Sequence, residues 1–529
     1  MIEKRSNAPS MDYRDVFDHG IRLHPERVAL IDGGRQFTWK AWGERQQRLA
    51  NALLDLGLKA GDRLGFLLKN SAECFDAFGA GARSGIVVVP INFRLNAEAV
   101  CGILAEAQCK AVLIDVEFLP LLEGSEAELP ALRTVITVGG AVGRRPEYES
   151  LLAASAAVAR PFEAADDDLA VVIYTTGTTG RPKGAMATRR IMMTRMACIA
   201  IEMKFGAEDR YLNALPLFHI VCVIALGAVL CRATSVIMRD FTPEDFCRMV
   251  ERERITKTTL APAVLNFVLN HPGAAESDLS SLDTILYGAA PMAPETLRRA
   301  AQLLPGCGYV QAFGSSECFT SVVLSMADHR AALAGNGNSA RRLAAAGRAS
   351  VFSQARVVDE EGADVAPGQV GEVLLKGGMV MSGYLNRPDE TAKALRNGWC
   401  HTGDLATVDE EGYIYVVDRK NNMIITGGEN VYPAQIESAL MDHPAVAQVA
   451  VLGVPDSTWG EAVKALVVLR PGHTATEREL IEFCSPRMAT YAKPRTVEFA
   501  AVLPLTATGK LDRLVLRSRY WEGRDRMIG

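Results

Sequence analysis

The sequence predicts an α/β protein. A large N-terminal domain of stacked, mostly parallel sheets with flanking helices and a small barrel-like piece is followed by a small mobile α+β C-terminal domain. Three observations carry this expectation. Short apolar runs alternate with helical patterns through the first half of the chain, as expected for parallel sheets covered by helices on both faces. Residues 351–376 change to short strands separated by Asp, Glu and Gly turns. A polar break, Arg419-Lys-Asn-Asn422, then precedes a new series of helices and strands. With 529 residues the chain exceeds what one core holds. The expected division is a large domain over 1–418, a hinge at 419–422 and a small domain over 423–529.

The elements follow in order. Thr38 is placed as an N-cap, after which Trp42, Leu49, Leu53 and Leu56 fall on one helical face and Gly57 ends the helix. Arg63-Leu-Gly-Phe-Leu-Leu68 reads as a strand, residues 71–83 as a helix, and Ile86-Val-Val-Val-Pro90 as a buried strand. Ala111-Val-Leu-Ile-Asp115 and Thr134-Val-Ile-Thr-Val138 continue the sheet, and Leu169-Ala-Val-Val-Ile-Tyr174 follows. Phe352–Val358 and Gly371–Lys376 are the short strands of the barrel-like piece, and Ile414-Tyr-Val-Val-Asp418 precedes the break. Beyond it come a helix started by Pro433, strands near 446–454 and 462–469, and a helix over about 476–484.

Composition narrows the function. Apolar residues make up 49% and charged residues 22% of the chain, which is ordinary for a globular protein. A net charge of −5 gives no electrostatic reason for a nucleic-acid partner. The eleven cysteines are scattered without a Cys-x-x-Cys pair, which fits free thiols in a reducing cytoplasm better than disulfides or a zinc site. No secretory signal follows Met1, and the longest apolar run, Ile220 to Cys231, is shorter than the roughly 20 residues that span a bilayer. The expectation is a cytoplasmic enzyme, monomeric or homodimeric, with no integral membrane segment.

The most informative run is Tyr174-Thr-Thr-Gly-Thr-Thr-Gly-Arg-Pro-Lys-Gly184. Glycines let backbone amides approach a ligand, hydroxyls add donors, and Lys183 adds a point charge, so the loop is built to wrap polyphosphate. Pro182 and Gly184 flank the lysine and forbid the continuous helix of a Walker loop. The run resembles the phosphate-binding signature of the adenylate-forming superfamily, which comprises acyl-CoA synthetases, luciferases and nonribosomal adenylation domains. The resemblance assigns Thr175, Thr176, Gly177, Thr179, Gly180 and Gly184 to the nucleotide, with Thr178 and Lys183 as catalytic members.

Further motifs in family order extend the resemblance over most of the chain. In Gln311-Ala-Phe-Gly-Ser-Ser-Glu317 it implies that Phe313 stacks near adenine with Gly314 and Ser315 beside it. By the same resemblance Ser316 would take a threonine's place near the α-phosphate, and Glu317 would hold Mg²⁺. Gly288-Ala289-Ala290, after the strand Thr284–Tyr287, would receive the adenine; small residues at a strand's carboxyl end leave room for a flat ligand. Asp404, in Thr402-Gly-Asp404, would accept from both ribose hydroxyls, with Arg419 adding a ribose or phosphate contact. Family members usually carry Asp or Lys two positions after that arginine, where this chain has Asn421. Gly427 and Gly428 would line a pantetheine tunnel, and Lys510, in Thr506-Ala-Thr-Gly-Lys510, would bridge the attacking carboxylate and the α-phosphate. His219, in Pro216-Leu-Phe-His219, would gate the acyl pocket against the thiol tunnel.

The chemistry these residues imply is acyl activation. A carboxylate is a poor electrophile and shares the charge of ATP, so attack at the α-phosphate needs neutralisation and alignment more than proton transfer. The expected reaction joins a small-molecule carboxylic acid, ATP and coenzyme A through an acyl-adenylate. A standalone enzyme that loads a carrier protein and an ATP-binding regulatory relative without turnover are the alternatives. Ile220–Val223, Tyr287–Ala290 and Phe313–Ser315 supply no Lys or Arg for a second carboxylate, which points to an apolar monoacid. Val221 and Cys222 stand where family members often have glycine, which implies a modest pocket for a medium-chain or aryl acid. Lys510→Ala is expected to lower adenylation by about 10²–10³, the scale of one lost transition-state donor. Thioester formation from supplied acyl-AMP should be largely spared, and equal loss of both half-reactions, measured separately, would remove the assigned role.

Overall fold

The structure, a computed structural model, describes residues 12–125, 128–175, 182–335, 338–505 and 511–521. The chain divides into two compact units. The first comprises the described residues up to 355 together with 375–400, and the second comprises 356–374 and the described residues from 401 onward.

Two large sheets organise the first unit. One runs, in spatial order, Gly383–Tyr384, Lys183–Thr188, Leu169–Thr175, Val87–Pro90, Arg63–Leu67, Cys109–Asp115 and Thr134–Val138. Its five later strands are mutually parallel, while Lys183–Thr188 is antiparallel to both of its neighbours. The other sheet runs Arg348–Ala349, Phe319–Leu324, Gly308–Ser315, Thr284–Gly288, Lys257–Leu260, Arg210–Asn213, Thr234–Ile237, Val28–Asp32 and Arg35–Thr38. Central strands such as Val87–Pro90 and Thr234–Ile237 are buried along their whole length, and Val87–Pro90 accordingly reads as a continuous apolar run.

Local sequence explains the helices that cover these sheets. Thr38 Oγ1 accepts from the Ala41 amide and starts helix Trp39–Asp55, whose inner face buries Trp42, Leu49 and Leu53. Gly57 follows at φ +88°, a conformation that costs glycine nothing. The expected helix over 71–83 is Ala72–Ser84, and Gly85 ends it in the left-handed region. Helix Val221–Leu230 is apolar on all sides because it is buried within the unit. Among the described residues no helix is long and apolar enough to cross a membrane. No disulfide joins any of the eleven cysteines, all of which are among the described residues.

In the second unit, strand Trp399–Val408 pairs with Ile414–Arg419 through Asp404↔Arg419 to Val408↔Ile414. Beyond residue 422 come strands Ile424–Thr426 and Glu429–Val431, helix Pro433–Met441, the long antiparallel pair Val446–Asp456 and Gly460–Leu469, and helix Glu477–Cys484. Thr476 caps helix Glu477–Cys484 reciprocally with Glu479. The fold is thus the α/β architecture with a smaller α+β part that the sequence leads one to expect.

One buried polar contact braces two central strands. Helix Met326–Ala334 is capped reciprocally by Ser325 and Asp328, and it carries His329 into the core with none of its surface exposed. His329 Nδ1 lies 2.9 Å from the Ser325 carbonyl and therefore donates, so Nε2 accepts from the Tyr287 hydroxyl at 2.8 Å. The Tyr287 hydroxyl oxygen also lies 3.2 Å from Gln311 Oε1 on the neighbouring strand Gly308–Ser315. Burial pulls the His329 pKa down from 6.5 to about 4, against smaller opposing effects of the Ser325 carbonyl and Asp328. Between those values the native state binds fewer protons than the unfolded chain. The stabilisation is therefore full above pH 6.5 and falls as pH drops toward 4, by at most about 3 kcal/mol. Denaturant unfolding as a function of pH should show a shallower acid slope for His329→Gln than for wild type over that window.

Candidate active site

The predicted phosphate loop joins two strands of a hairpin. Leu169–Thr175 enters it and Lys183–Thr188 leaves it, in antiparallel register with Thr175 opposite Lys183 and Tyr174 opposite Gly184. No helix follows the lysine until Arg189, so the lysine is held on a strand and not at a helix start. Thr176, Gly177, Thr178, Thr179 and Gly180 lie outside the described residues, as does Lys510. Gly184 is required by packing, because a Cβ there would lie 2.7 Å from Val172 and 3.0 Å from the Tyr174 ring.

The other edge of strand Lys183–Thr188 is covered by a segment whose importance the sequence did not announce. Tyr384 pairs with Ala185 and Gly383 with Met186, and the Leu385 amide donates to the Gly184 carbonyl at 2.8 Å. This brings Tyr384, Arg387 and Glu390 to the lysine. Lys183 Nζ forms an ion pair with Glu390 and lies 5.4 Å above the Tyr384 ring. Arg387 reaches Glu390 at 2.9 Å, Glu106 at 2.8 Å and the Pro182 carbonyl at 3.3 Å. The Tyr384 hydroxyl donates to Glu317 Oε1 at 2.7 Å. Burial, with Glu317 beside it, pushes that phenol well above its usual range, so it remains a donor. A Gly-Tyr pair followed by Arg-Pro-Asp-Glu was the available signal, yet its spacing to Lys183 carries no periodicity that would expose it.

Glu317 is set by its own backbone as well. Its carbonyl accepts from the Met381 amide at 2.6 Å, and its amide donates to Ser315 Oγ at 3.3 Å. The neighbouring Ser316 carbonyl accepts from Arg195 Nη2 at 3.0 Å, while Arg195 Nε donates to the Met379 carbonyl at 2.8 Å. Arg195 is almost wholly buried, with its guanidinium 5.8 Å from the Phe319 ring centroid. Burial lowers its pKa to about 10, which still leaves it a cation at neutral pH. A buried cation tied to two backbone carbonyls is costly to move, and it holds segment 315–317 against 379–381.

Gly288, Ala289 and Ala290 lie at the carboxyl end of strand Thr284–Gly288, which runs parallel to Gly308–Ser315 with Gly288 opposite Ala312. A Cβ on Gly288 would approach the Ala312 carbonyl oxygen to 2.3 Å, and one on Gly314 the Phe319 oxygen to 1.5 Å. Both glycines are therefore demanded by strand packing, whatever else they admit. The ladder slips between Phe313 and Gly314, a bulge of the kind that re-aims side chains beside active sites. Ala289 at φ +66°, just after strand Thr284–Gly288, and Phe319 at φ +52°, at the start of strand Phe319–Leu324, each take a left-handed conformation that costs a non-glycine residue on the order of 1 kcal/mol.

His219 stands at a third side. Its ring lies 4.3 Å from that of Phe218, which in turn packs edge-on against Phe93 at 5.1 Å. His219 and Phe218 line a small cavity with Thr175, Tyr174, Pro182 and Asn92, so the histidine is adjacent to both ends of the loop. Cys222 points into the core, where burial raises its thiol pKa to about 12.

The first unit thus brings together Thr175, Lys183, Gly184, His219, Gly288–Ala290 and Phe313–Glu317. The second unit pairs two others, since Arg419 Nε lies 2.6 Å from Asp404 Oδ1. There Gly427 and Gly428 take φ +60° and +83°, and a Cβ on Gly427 would meet the Trp459 indole at 2.7 Å.

Residues 17–385 match the AMP-binding enzyme family and residues 435–510 the AMP-binding enzyme C-terminal domain. The chain belongs to the AMP-binding enzyme family. It is 34% identical over 501 residues to a feruloyl-CoA synthase of Amycolatopsis sp, covering 94% of this chain and 97% of that protein. It is also 34% identical over 528 residues to the medium/long-chain-fatty-acid–CoA ligase FadD8 of Mycobacterium tuberculosis, covering 96% and 90%. Among solved structures it resembles ATP-bound MatB from Rhodopseudomonas palustris, with a TM-score of 0.87, 26% identity and coverage of 97% and 99%.

Among the described residues no three His, Cys, Asp or Glu side chains converge as a metal cage. Glu317, a single carboxylate with one oxygen engaged by Tyr384, fits a Mg²⁺ ion held by one or two carboxylates plus water and substrate phosphates. Glu317→Gln should raise the Mg²⁺ concentration needed for half-maximal pyrophosphate release. A magnesium titration superimposable on that of wild type would remove Glu317 from this role.

Proposed function

We propose that the chain is an ATP-dependent acid–CoA ligase acting through an acyl-adenylate on an apolar medium-chain fatty or aromatic monocarboxylic acid. The observation that carries this reading is the placement of Lys183 and Glu317 on one residue, Tyr384, whose ring faces the ammonium and whose hydroxyl binds the carboxylate. A cation for phosphate oxygens and a carboxylate for a hard metal ion are thereby held within one rigid arrangement beside the bulged strand end at Phe313 and Gly314.

In the first half-reaction a carboxylate oxygen attacks the α-phosphorus and the bond to pyrophosphate breaks. Lys183 and the loop amides stabilise the charge that collects on the departing pyrophosphate. Glu317 would hold Mg²⁺, which when bound would add neutralisation of the phosphate charge. Gly288–Ala290 and Phe313 receive the adenine, Ser316 sits by the α-phosphate, Asp404 and Arg419 take the ribose, and Lys510 steadies the pentavalent centre. In the second half-reaction the CoA thiolate attacks the acyl carbon of the mixed anhydride and AMP leaves. Gly427 and Gly428 line the pantetheine path, His219 separates acyl pocket from thiol, and residues 419–422 serve as the pivot between the two arrangements.

Support for an apolar monoacid comes from the walls near His219. Phe93 and Phe218 present aromatic groups, Arg195 is committed to two backbone carbonyls, and Arg94 lies over the Phe93 ring, 5.6 Å from its centroid. A feruloyl-CoA synthase and a medium/long-chain-fatty-acid–CoA ligase among the relatives accord with aryl and fatty acids. The test is pyrophosphate release across a panel of carboxylic acids, run with and without CoA. Release with medium-chain or aryl monoacids, followed by CoA-dependent AMP formation, is expected. Preference for a dicarboxylic acid, or turnover indifferent to CoA, would overturn the reading.

A further inference from the structure

We infer that Glu390 is an internal competitor of ATP's phosphates for the Lys183 ammonium, kept ready by Arg387. The inference rests on the reading that Lys183 binds those phosphates. The pair is enclosed but reachable, since the lysine side chain is 18% exposed and the glutamate 32%. Lys183 and Arg387 both hold the Glu390 carboxyl below the usual carboxylate range.

What separates this pair from an ordinary surface salt bridge is the second cation. Glu390 Oε1 already accepts from Arg387 Nη1 at 2.9 Å, and Arg387 is fixed independently through Glu106 at 2.8 Å and the Pro182 carbonyl at 3.3 Å. If Lys183 turns toward a phosphate, Glu390 keeps a charged partner in a bond that needs no rearrangement. The usual penalty of abandoning one member of a partly buried pair, an uncompensated charge, is thereby avoided. Lys183 for its part keeps the Tyr384 ring beneath it, 5.4 Å from the ammonium, as a contact that survives the exchange of anions. Glu390 thus sets the occupancy of Lys183 without being a group that touches the reacting atoms, and it is a positioning residue.

The test is equilibrium binding of MgATP, without any acid, to the full-length chain by titration calorimetry. Glu390→Gln should tighten binding by about two- to fivefold, the scale of a partly exposed ion pair removed as competitor. Lys183→Met should weaken binding, and in that background Glu390→Gln should confer no gain. Thermal unfolding of each variant shows whether it folds. Should Glu390→Gln not fold, Glu390→Asp, which keeps the charge but shortens its reach, should tighten binding in the same direction to a smaller extent. Unchanged or weaker binding by the folded Glu390 variant overturns the inference. A gain that persists without Lys183 overturns it too, because simple repulsion of the phosphates would then suffice. If Lys183→Met leaves MgATP binding unchanged, or the wild-type chain binds no MgATP, the reading of the site itself falls together with the inference.

Discussion

Strand Lys183–Thr188 is paired on both edges, and the candidate site depends on that double pairing. One edge fixes its register with Leu169–Thr175, so that the lysine leaves the loop at a defined point opposite Thr175. The other edge accepts the short strand Gly383–Tyr384 from nearly two hundred residues downstream. Backbone hydrogen bonds, which any sequence can make, thereby deliver three specific side chains, Tyr384, Arg387 and Glu390, to one ammonium group. From Tyr384 the order passes to Glu317 by a single hydroxyl, and from Glu317 to the Phe313–Ser315 strand end by continuous backbone.

Rigidity around this arrangement comes from elements that do no chemistry. Arg195 ties the Ser316 and Met379 carbonyls together from within the core. The contact of His329 with Tyr287 braces strand Thr284–Gly288 beside its parallel neighbour Gly308–Ser315. The strained residues Ala289 and Phe319 persist because that surrounding structure over-determines them. Pre-organisation of this kind suits a reaction whose barrier is lowered mainly by fixed charges and alignment.

Much of the fold was legible because its signals are local. Val87–Pro90 is buried on both faces and reads as an unbroken apolar run, and Thr38 and Gly57 bracket their helix with cap chemistry that needs no tertiary context. Lys183 was legible for the same reason, since Pro182 and Gly184 beside it exclude a helical phosphate loop. Tyr384, Arg387, Glu390 and Glu106 were not, because their role exists only through a strand pairing that sequence distance conceals. Arg195 was hidden differently: an arginine in a helix usually faces water, and its burial follows from the carbonyls it meets. Gly288 was legible as a small residue at a strand end, and the structure adds that crowding by the Ala312 carbonyl also requires it, as crowding by the Phe319 carbonyl requires Gly314.

Lys183, Glu390, Arg387 and Glu106 form a row of alternating charges that sums to zero. Such a row has a steep local field and almost no reach, because each charge is cancelled within a few ångströms by the next. The molecule as a whole is mildly acidic, with a net charge of −5. Such a row by itself does not draw a polyanion in from a distance. On the proposed role of Lys183, retention of a polyanion there would come from an exchange of partners at close range.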